Sequence, residues 1–384
     1  MNKIKNLCVI SRGYPTAAHP IYTFVEQLCI ALSRDGVSVT VISPQSITST
    51  LFTGSPKHTT KRVYERGGQP ITVYQPFIPT APYRFFSINN WLYTKSVTKI
   101  LNGLDTNFDA IYGHFWPSAL YAFDYAQMNN IPLFVACGEG DLRSYQKQYS
   151  TKKYARLSQY IRGVISVSSN NKTIAIEMGL ANKENCEVFP NGIDENLFRL
   201  QDRQLLRKKY GFEKNDFIIA FVGGFIHRKG PDRVAKAISK IGDDNIKSFF
   251  VGSGQGKENI PIECDGVLFK GKVEHEKLPD YLCMADVFVL PTLNEGCSNA
   301  IVEALACGLP VISSDLPFNW DVLDASNSIL IDPMNTDQLA QAIKLLKADR
   351  HERNRLSQGA IMRSKELGIT NRCRRILYFL EKRV

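Results

Sequence analysis

Apolar and polar positions follow two rhythms along the chain. Short runs rich in β-branched residues are NLCVIS (6–11), VSVTVIS (37–43), ITVYQ (71–75), FDAIYGH (108–114), IPLFVAC (131–137) and GVISVS (163–168). Between them lie stretches whose apolar residues recur at helical spacing, over 21–34, 87–102, 117–128 and 170–178. The short runs predict strands and the 3.6-residue spacing predicts helices. Their alternation is the mark of a parallel sheet covered by helices on both faces. The same pattern restarts after VFPNGIDENLF, with strands near 217–223, 247–252, 266–269, 286–290, 310–312 and 328–331. The chain is therefore expected to be α/β, with two doubly wound domains in tandem meeting at the Pro190-Asn191-Gly192 turn. Beyond about Gln338 the pattern is helical and increasingly basic, ending RCRRILYFLEKRV.

Length supports two domains, since 384 residues exceed what one hydrophobic core usually organises. A composition of 44% hydrophobic and 22% charged residues is that of a soluble globular protein. The longest apolar run, FIIAFVGGFI (217–226), falls well short of the roughly 18 residues that span a bilayer. The N-terminus, MNKIKNLCVISRGYP, puts basic residues before an apolar run too short for a signal core, so it reads as a first strand. Nine cysteines, an odd number without C-x-x-C spacing and mostly in apolar runs, read as reduced core residues of a cytoplasmic protein.

Charge changes the picture more than composition does. The net charge of +10 is uneven: residues 1–190 carry 19 Lys and Arg against 11 Asp and Glu, and residues 191–384 carry 28 against 26. A basic first domain suits nucleic acid, anionic lipid headgroups or an acidic substrate, the alternative being a solvated basic face without a dedicated partner. No nucleic-acid-binding module is recognisable, so no nucleic-acid partner is expected.

In open α/β sheets ligands bind outside the carboxyl ends of the strands, so chemistry belongs in the loops there. FVGGFIHRKGPDRV (221–234) ends a buried strand at Gly223-Gly224, then sets His227, Arg228 and Lys229 before a proline suited to a helix start. Glycine backbone, lysine and a helix N-terminus together fit a phosphate, while an ordinary basic loop is the alternative. FFVGSGQGKENIP (249–261) resembles a dinucleotide fingerprint but lacks its last spacing, and reads better as the rim of a nucleotide pocket. LNEGCSNAIVEA (293–304) follows the strand DVFVLP. Ser298 or Asn299 can cap its helix, Glu295 falls in the loop and Glu303 in the second turn, and the amides of Gly296, Cys297, Ser298 and Asn299 stay open to an anion. Two solvated glutamates are the alternative.

Taken together, these motifs resemble the signature of family 4 glycosyltransferases, retaining enzymes of the GT-B architecture in which two Rossmann-like domains face each other across a cleft. The family's E-x7-E pair matches Glu295 and Glu303, its diphosphate loop matches 221–234, and VEHEKLPDYLCMADVFVLP and VFPNGID match the segments around them. The likeness is dense over about 186–335 and looser before it, through YGHFWPSALYA and VISVSSNNKTIAIEMGL. It implies a nucleotide-sugar donor in the second domain, 191–365, and an acceptor side in the first, 1–190, with a C-terminal helix over about 366–384 expected to pack back on the first.

The resemblance also implies roles. Glu303 would hold the ribose and Glu295 the transferred sugar; the amides of Gly296 to Asn299 would hold sugar and diphosphate, and Lys229 the diphosphate. His114 matches the family histidine that reaches the sugar. No D-x-D motif is present, so no metal and no cofactor are expected. Two departures stand out. Gly224 occupies the place of a common family arginine, a charge that Arg228 is expected to supply in part, and TAAHPIYTF (16–24) lacks the family's paired glycines.

Aromatic and basic residues mix in PYRFFSINNWLYTKSVTK (82–99) and RSYQKQYSTKKYARLSQYIR (143–162), surfaces that could rest on anionic membrane beside a glycan or lipid-linked acceptor. The expected setting is cytoplasmic, with peripheral membrane contact, and the pathway surface-polysaccharide or glycoconjugate synthesis. An epimerase or phosphorylase of the same architecture, or a non-catalytic nucleotide-sugar binder, is the alternative reading.

Overall fold

The structure, a computed structural model, describes residues 3–16, 22–47, 60–81, 86–213, 216–254, 256 and 258–384. Part of the first-strand loop, 17–21, and the start of the aromatic-basic segment, 82–85, lie outside the described residues. The chain divides into two compact units, Met1–Phe189 with Ile369–Val384, and Pro190–Gly368.

The first unit is built on an eight-stranded sheet. Its strands are β1 (Asn6–Ser11), β2 (Ser38–Ile42), β4 (Lys61–Tyr64), β5 (Ile71–Tyr74), β7 (Ala110–His114), β8 (Leu133–Cys137), β9 (Gly163–Ser166) and β10 (Cys186–Val188), in the order β10-β9-β8-β7-β1-β2-β5-β4. Two-residue strands β3 (Gln45–Ser46) and β6 (Phe77–Ile78) pair separately. Every residue of β7 and β8 is buried, as befits inner parallel strands covered on both faces. The helices are α1 (Thr23–Arg34), α2 (Phe86–Asn102), α3 (Trp116–Met128), α4 (Lys152–Tyr160), α5 (Ser169–Glu177) and, from the far end of the chain, α12 (Ile369–Glu381). α12 buries Cys373, Ile376, Leu377, Phe379 and Leu380 in the core shared with α1.

The second unit carries a six-stranded, wholly parallel sheet of β11 (Phe217–Val222), β12 (Ile246–Val251), β13 (Val267–Gly271), β14 (Val287–Leu290), β15 (Val311–Ser314) and β16 (Ser328–Ile331), in the order β13-β12-β11-β14-β15-β16. Its helices are α6 (Arg203–Tyr210), α7 (Pro231–Ile241), α8 (Leu278–Met284), α9 (Asn299–Ala306), α10 (Thr336–Ala348) and α11 (Arg350–Glu366). The strand order reverses between β11 and β14, the switch point where ligands bind in sheets of this class.

The inner strands lie where the apolar runs place them. The difference is at the edges: β4 is antiparallel to β5, and its KRVY sequence alternates exposed and half-buried residues. A charged edge strand blunts sheet-to-sheet association and leaves no apolar run to detect. None of the nine cysteines is in a disulfide; Cys264 is half-buried and the rest are buried. No described helix is long and apolar enough to cross a membrane.

Candidate active site

β11 and β14 are neighbours in the second sheet, so the loops after them emerge side by side. The two are laced together. The Leu293 N–H donates to the Arg228 carbonyl at 2.8 Å. From the first turn of α7, Arg233 donates through Nη1 to the His227 carbonyl at 3.0 Å and through Nη2 to the Pro291 carbonyl at 2.8 Å. Its side chain is buried, and so is the bond to Pro291, which satisfies a carbonyl that water does not reach. Gly230, at φ +75°, caps α7 directly over it, and a Cβ there would lie 2.4 Å from the guanidinium. Gly224 turns the β11 loop tightly, its carbonyl accepting from the Ile226 N–H at 2.9 Å. Behind it, a Cβ on Gly252 would lie 1.9 Å from the Gly223 carbonyl oxygen, so the glycine-rich loop after β12 seats directly on this one.

The cations and a carboxylate of the two loops converge. Glu295 Oε1 accepts from the Thr292 hydroxyl at 2.9 Å and from Arg228 Nη1 at 3.0 Å, and it pairs with the Lys229 ammonium. Arg228 also donates to the Asn294 carbonyl. Glu295 and Lys229 are almost buried, at 12% and 14% side-chain exposure, whereas Arg228 stands 41% open. One carboxylate therefore balances two cations in a sheltered place, where removing either partner uncompensates a charge.

α9 begins at Asn299, with Ser298 at the position before it. Neither residue caps the helix. The Ser298 hydroxyl is buried and makes no hydrogen bond among the described residues. Asn191 claims the Asn299 side chain, donating from Nδ2 to Asn299 Oδ1 at 2.7 Å and to the Cys297 carbonyl at 2.9 Å. The start of α9, beside buried Gly296 and Cys297, thus presents its positive end with no cap from the Ser298 side chain. Within the helix, Glu303 Oε1 lies 3.3 Å from His275 Nε2, and the Phe198 ring meets the imidazole edge-on at 5.2 Å. The bond to Glu303 raises the His275 pKa above its ordinary value, against the opposing effect of burial.

In the first unit, His114 closes β7 among Phe24, Phe115 and Tyr112, with ring centroids 5.3, 4.5 and 6.2 Å away. It is 7% exposed, and neither ring nitrogen has a partner among the described residues. Burial, helped by the Arg372 charge, lowers its pKa to about 3, so the imidazole is neutral. Phe115 follows at φ +74°, a costly conformation for a phenylalanine, and turns the chain into α3. There the Trp116 N–H donates to Glu139 Oε1 at 3.2 Å, while Glu139 Oε2 accepts from the Gly138 N–H at 3.0 Å. Burial pushes the Glu139 pKa up to about 7 in spite of these bonds.

Residues 22–197 match the family described as Glycosyltransferase Family 4, and residues 202–363 match Glycosyl transferases group 1. The chain belongs to the family 4 glycosyltransferases. Among its relatives, the Bacillus subtilis glycosyltransferase TuaC, ascribed to teichuronic acid biosynthesis, is 26% identical over 87% of each chain. Two solved structures share the fold of this glycosyltransferase at 18% identity. Sucrose-phosphate synthase from Thermosynechococcus elongatus has a TM-score of 0.79 over 98% of each chain, and Anabaena HepE, in complex with UDP-glucose, has 0.71 over 99% of this chain and all of that one. The glycosyltransferase has the GT-B architecture.

Within its second unit this glycosyltransferase brings Arg228, Lys229 and Glu295 into contact and sets Glu303 in the second turn of α9. His114 belongs to the first unit. Four residues went unnoticed in the sequence. Arg233 braces the two loops, Thr292 fixes Glu295, His275 pairs with Glu303, and Glu139 holds the head of α3. The ACGEGD stretch, a carboxylate just after a buried strand, was the available signal for Glu139.

Proposed function

We propose that the enzyme is a retaining hexosyltransferase that moves a sugar from a nucleoside-diphosphate sugar to a hydroxyl of a glycan or lipid-linked acceptor, in surface-polysaccharide or glycoconjugate synthesis. The observation that carries this reading is the convergence of Lys229 and Arg228 on Glu295 beside the uncapped start of α9. A departing nucleoside diphosphate gains negative charge, and preorganised cations and amides stabilise it without a metal. Lys229 and Arg228 hold the diphosphate, Arg228 supplying charge that Gly224 does not. Glu295 orients the sugar hydroxyls, Glu303 the ribose, and His114 reaches the sugar as a neutral hydrogen-bonding ring. The acceptor hydroxyl attacks C1 from the face carrying the leaving phosphate. As the C1–O bond to phosphate breaks and the new C1–O bond forms, the hydroxyl proton passes to the phosphate oxygen, and configuration is retained. HepE, of the same fold, binds UDP-glucose, and TuaC is ascribed to a surface polymer, which supports the donor and acceptor classes.

A thermal-shift panel of nucleoside-diphosphate sugars identifies the donor, because a ligand that binds the folded state stabilises it by mass action. Transfer followed by NMR at the anomeric carbon then reads the stereochemistry. Retained configuration and a rate indifferent to EDTA are expected; an inverted product or loss of activity in EDTA would overturn the mechanism.

We also propose that the enzyme works at the cytoplasmic face of an anionic membrane. On α2, Ile88 and Trp91 are half exposed, and Lys95 and Lys99 continue the same helical face, with the Lys95 ammonium 5.0 Å from the Trp91 ring centroid. Flotation with anionic vesicles that weakens with salt and with Trp91→Ala is expected; no association ends the idea.

A further inference from the structure

At the other end of β11 and β14 from the candidate site, where these strands begin, lies a cavity of about 410 Å3. Phe217, the first residue of β11, and Asp286, just before β14, form its floor. Five of its lining side chains are cations, Arg203, Arg207, Lys347, Arg350 and Arg353, against the carboxylates of Asp216 and Asp286.

Most of the carboxylates nearby are already engaged. Asp286 accepts from Arg203 Nη1 at 2.7 Å, from Arg207 Nη2 at 2.8 Å and from the Ile218 N–H at 2.8 Å. Arg207 also donates to the Met284 and Asp216 carbonyls, so it and Asp286 form a closed structural pair. Lys347 pairs with Asp243, and Glu352 takes Arg355 through both oxygens. Asp202 and Asp349 each accept through Oδ1 from amides in the first turns of α6 and α11. Among the described residues, neither Arg350 nor Arg353 forms an ion pair. Arg353 rests over the Phe217 ring and donates to the Leu346 and Lys347 carbonyls.

The surplus charge is also badly placed for the fold alone. Arg203 and Arg350 are the first residues of α6 and α11, where the helix dipole already presents its positive end. The Nε of Arg203 is buried with no acceptor among the described residues. Burial, with the charges of Arg207 and Arg353, holds the Arg203 guanidinium below its usual range, Asp286 pulling the other way.

We propose that this cavity is a second anion site, separate from the donor site, in which Arg203, Arg350 and Arg353 bind the phosphate group of a small phosphorylated compound or of a lipid headgroup. Planar guanidiniums meet phosphate oxygens in pairs, and a doubly charged oxyanion relieves the crowding that two carboxylates among five cations leave.

The test uses the Lys229→Ala enzyme, which removes the principal diphosphate contact of the donor site. Inorganic phosphate and glycerol 3-phosphate are titrated calorimetrically at matched ionic strength, and vesicles of phosphatidylcholine with and without phosphatidic acid are floated in parallel. Binding of the soluble phosphates that weakens about tenfold or more in Arg350→Gln and vanishes in Arg203→Gln/Arg350→Gln supports a soluble ligand. Flotation that needs phosphatidic acid and fails in the same variants supports the headgroup. Arg350 is exposed, so the single variant is expected to fold, which circular dichroism checks. Phosphate binding no stronger than that of chloride together with no flotation, or binding that Lys229→Ala abolishes or the arginine changes leave intact, would overturn the proposal.

Discussion

Lys229 and Glu295 form an ion pair, and this fixes what each substitution does. On the proposed roles, Glu295→Ala removes a sugar-hydroxyl acceptor, and it also releases two cations from their carboxylate. Transfer is expected to slow about 100-fold, while affinity for the nucleoside diphosphate product does not fall. On the same proposed roles, Glu303→Ala is instead expected to weaken donor binding about tenfold or more, the scale of a lost charged hydrogen bond. Equal, mild effects of both changes in transfer and binding assays would refute the division of roles. In the first unit, buried His114 and half-buried Glu139 titrate with opposite sign. His114 has a folded pKa of about 3 against an ordinary 6.5, so its contribution to stability is complete above pH 6.5 and is lost as pH falls towards 3. Glu139 is raised from 4.5 to about 7, so its contribution is complete below pH 4.5 and is lost as pH rises through 7. Between pH 4.5 and 6.5 the two slopes oppose each other. The wild type is expected to show a flat profile there, with His114→Gln keeping the alkaline loss alone and Glu139→Gln the acid loss alone. Urea midpoints across pH measure this, and three parallel profiles would refute it.

At the scale of elements, the loops after β11 and β14 act as one piece because Arg233 joins them. Arg233→Met keeps the stem but removes both bonds, and stranding the buried Pro291 carbonyl alone costs about 1–3 kcal/mol. Donor affinity is expected to fall together with the unfolding midpoint, and Lys at 233 should restore little, since an ammonium does not reproduce the fork. Unchanged affinity with lowered stability would show that the brace does not position the loop. How much of this was readable beforehand follows from the same physics. Inner strands such as β8 and β14 are apolar throughout because both their faces are buried, so they announce themselves. β4 carries KRVY on an edge and does not. The basic loop and the glutamates were visible as local composition at strand ends. Arg233 was not, because its meaning lies in a bond to a carbonyl 58 residues away, and His275 was hidden the same way by its distance from Glu303. Ser298 misled for a related reason: a good capping residue at the right place leaves the cap unmade when Asn191 organises the turn instead.

At the scale of the molecule, the first unit is sewn from both ends of the chain. The Lys3 N–H donates to Glu381 at 2.7 Å, Arg374 pairs with Asp35, and Phe379 packs edge-on against Phe189 at 5.5 Å. Burying Ile376, Leu377, Phe379 and Leu380 is worth roughly 6–12 kcal/mol as an upper estimate, comparable to the whole stability of a domain. Deleting residues 369–384 is therefore expected to unfold the first unit while the second keeps a cooperative transition, which calorimetry or limited proteolysis resolves. Two intact transitions after the deletion would contradict it. The same stitching sets a clock during synthesis. Arg383 meets the Glu184 carbonyl across 199 residues of sequence, and at about 5–20 residues per second the ribosome needs roughly 10–40 s to deliver it. For that interval the first-made half of the chain waits with an oily strip uncovered, and the second half, whose residues are contiguous, can finish folding before it.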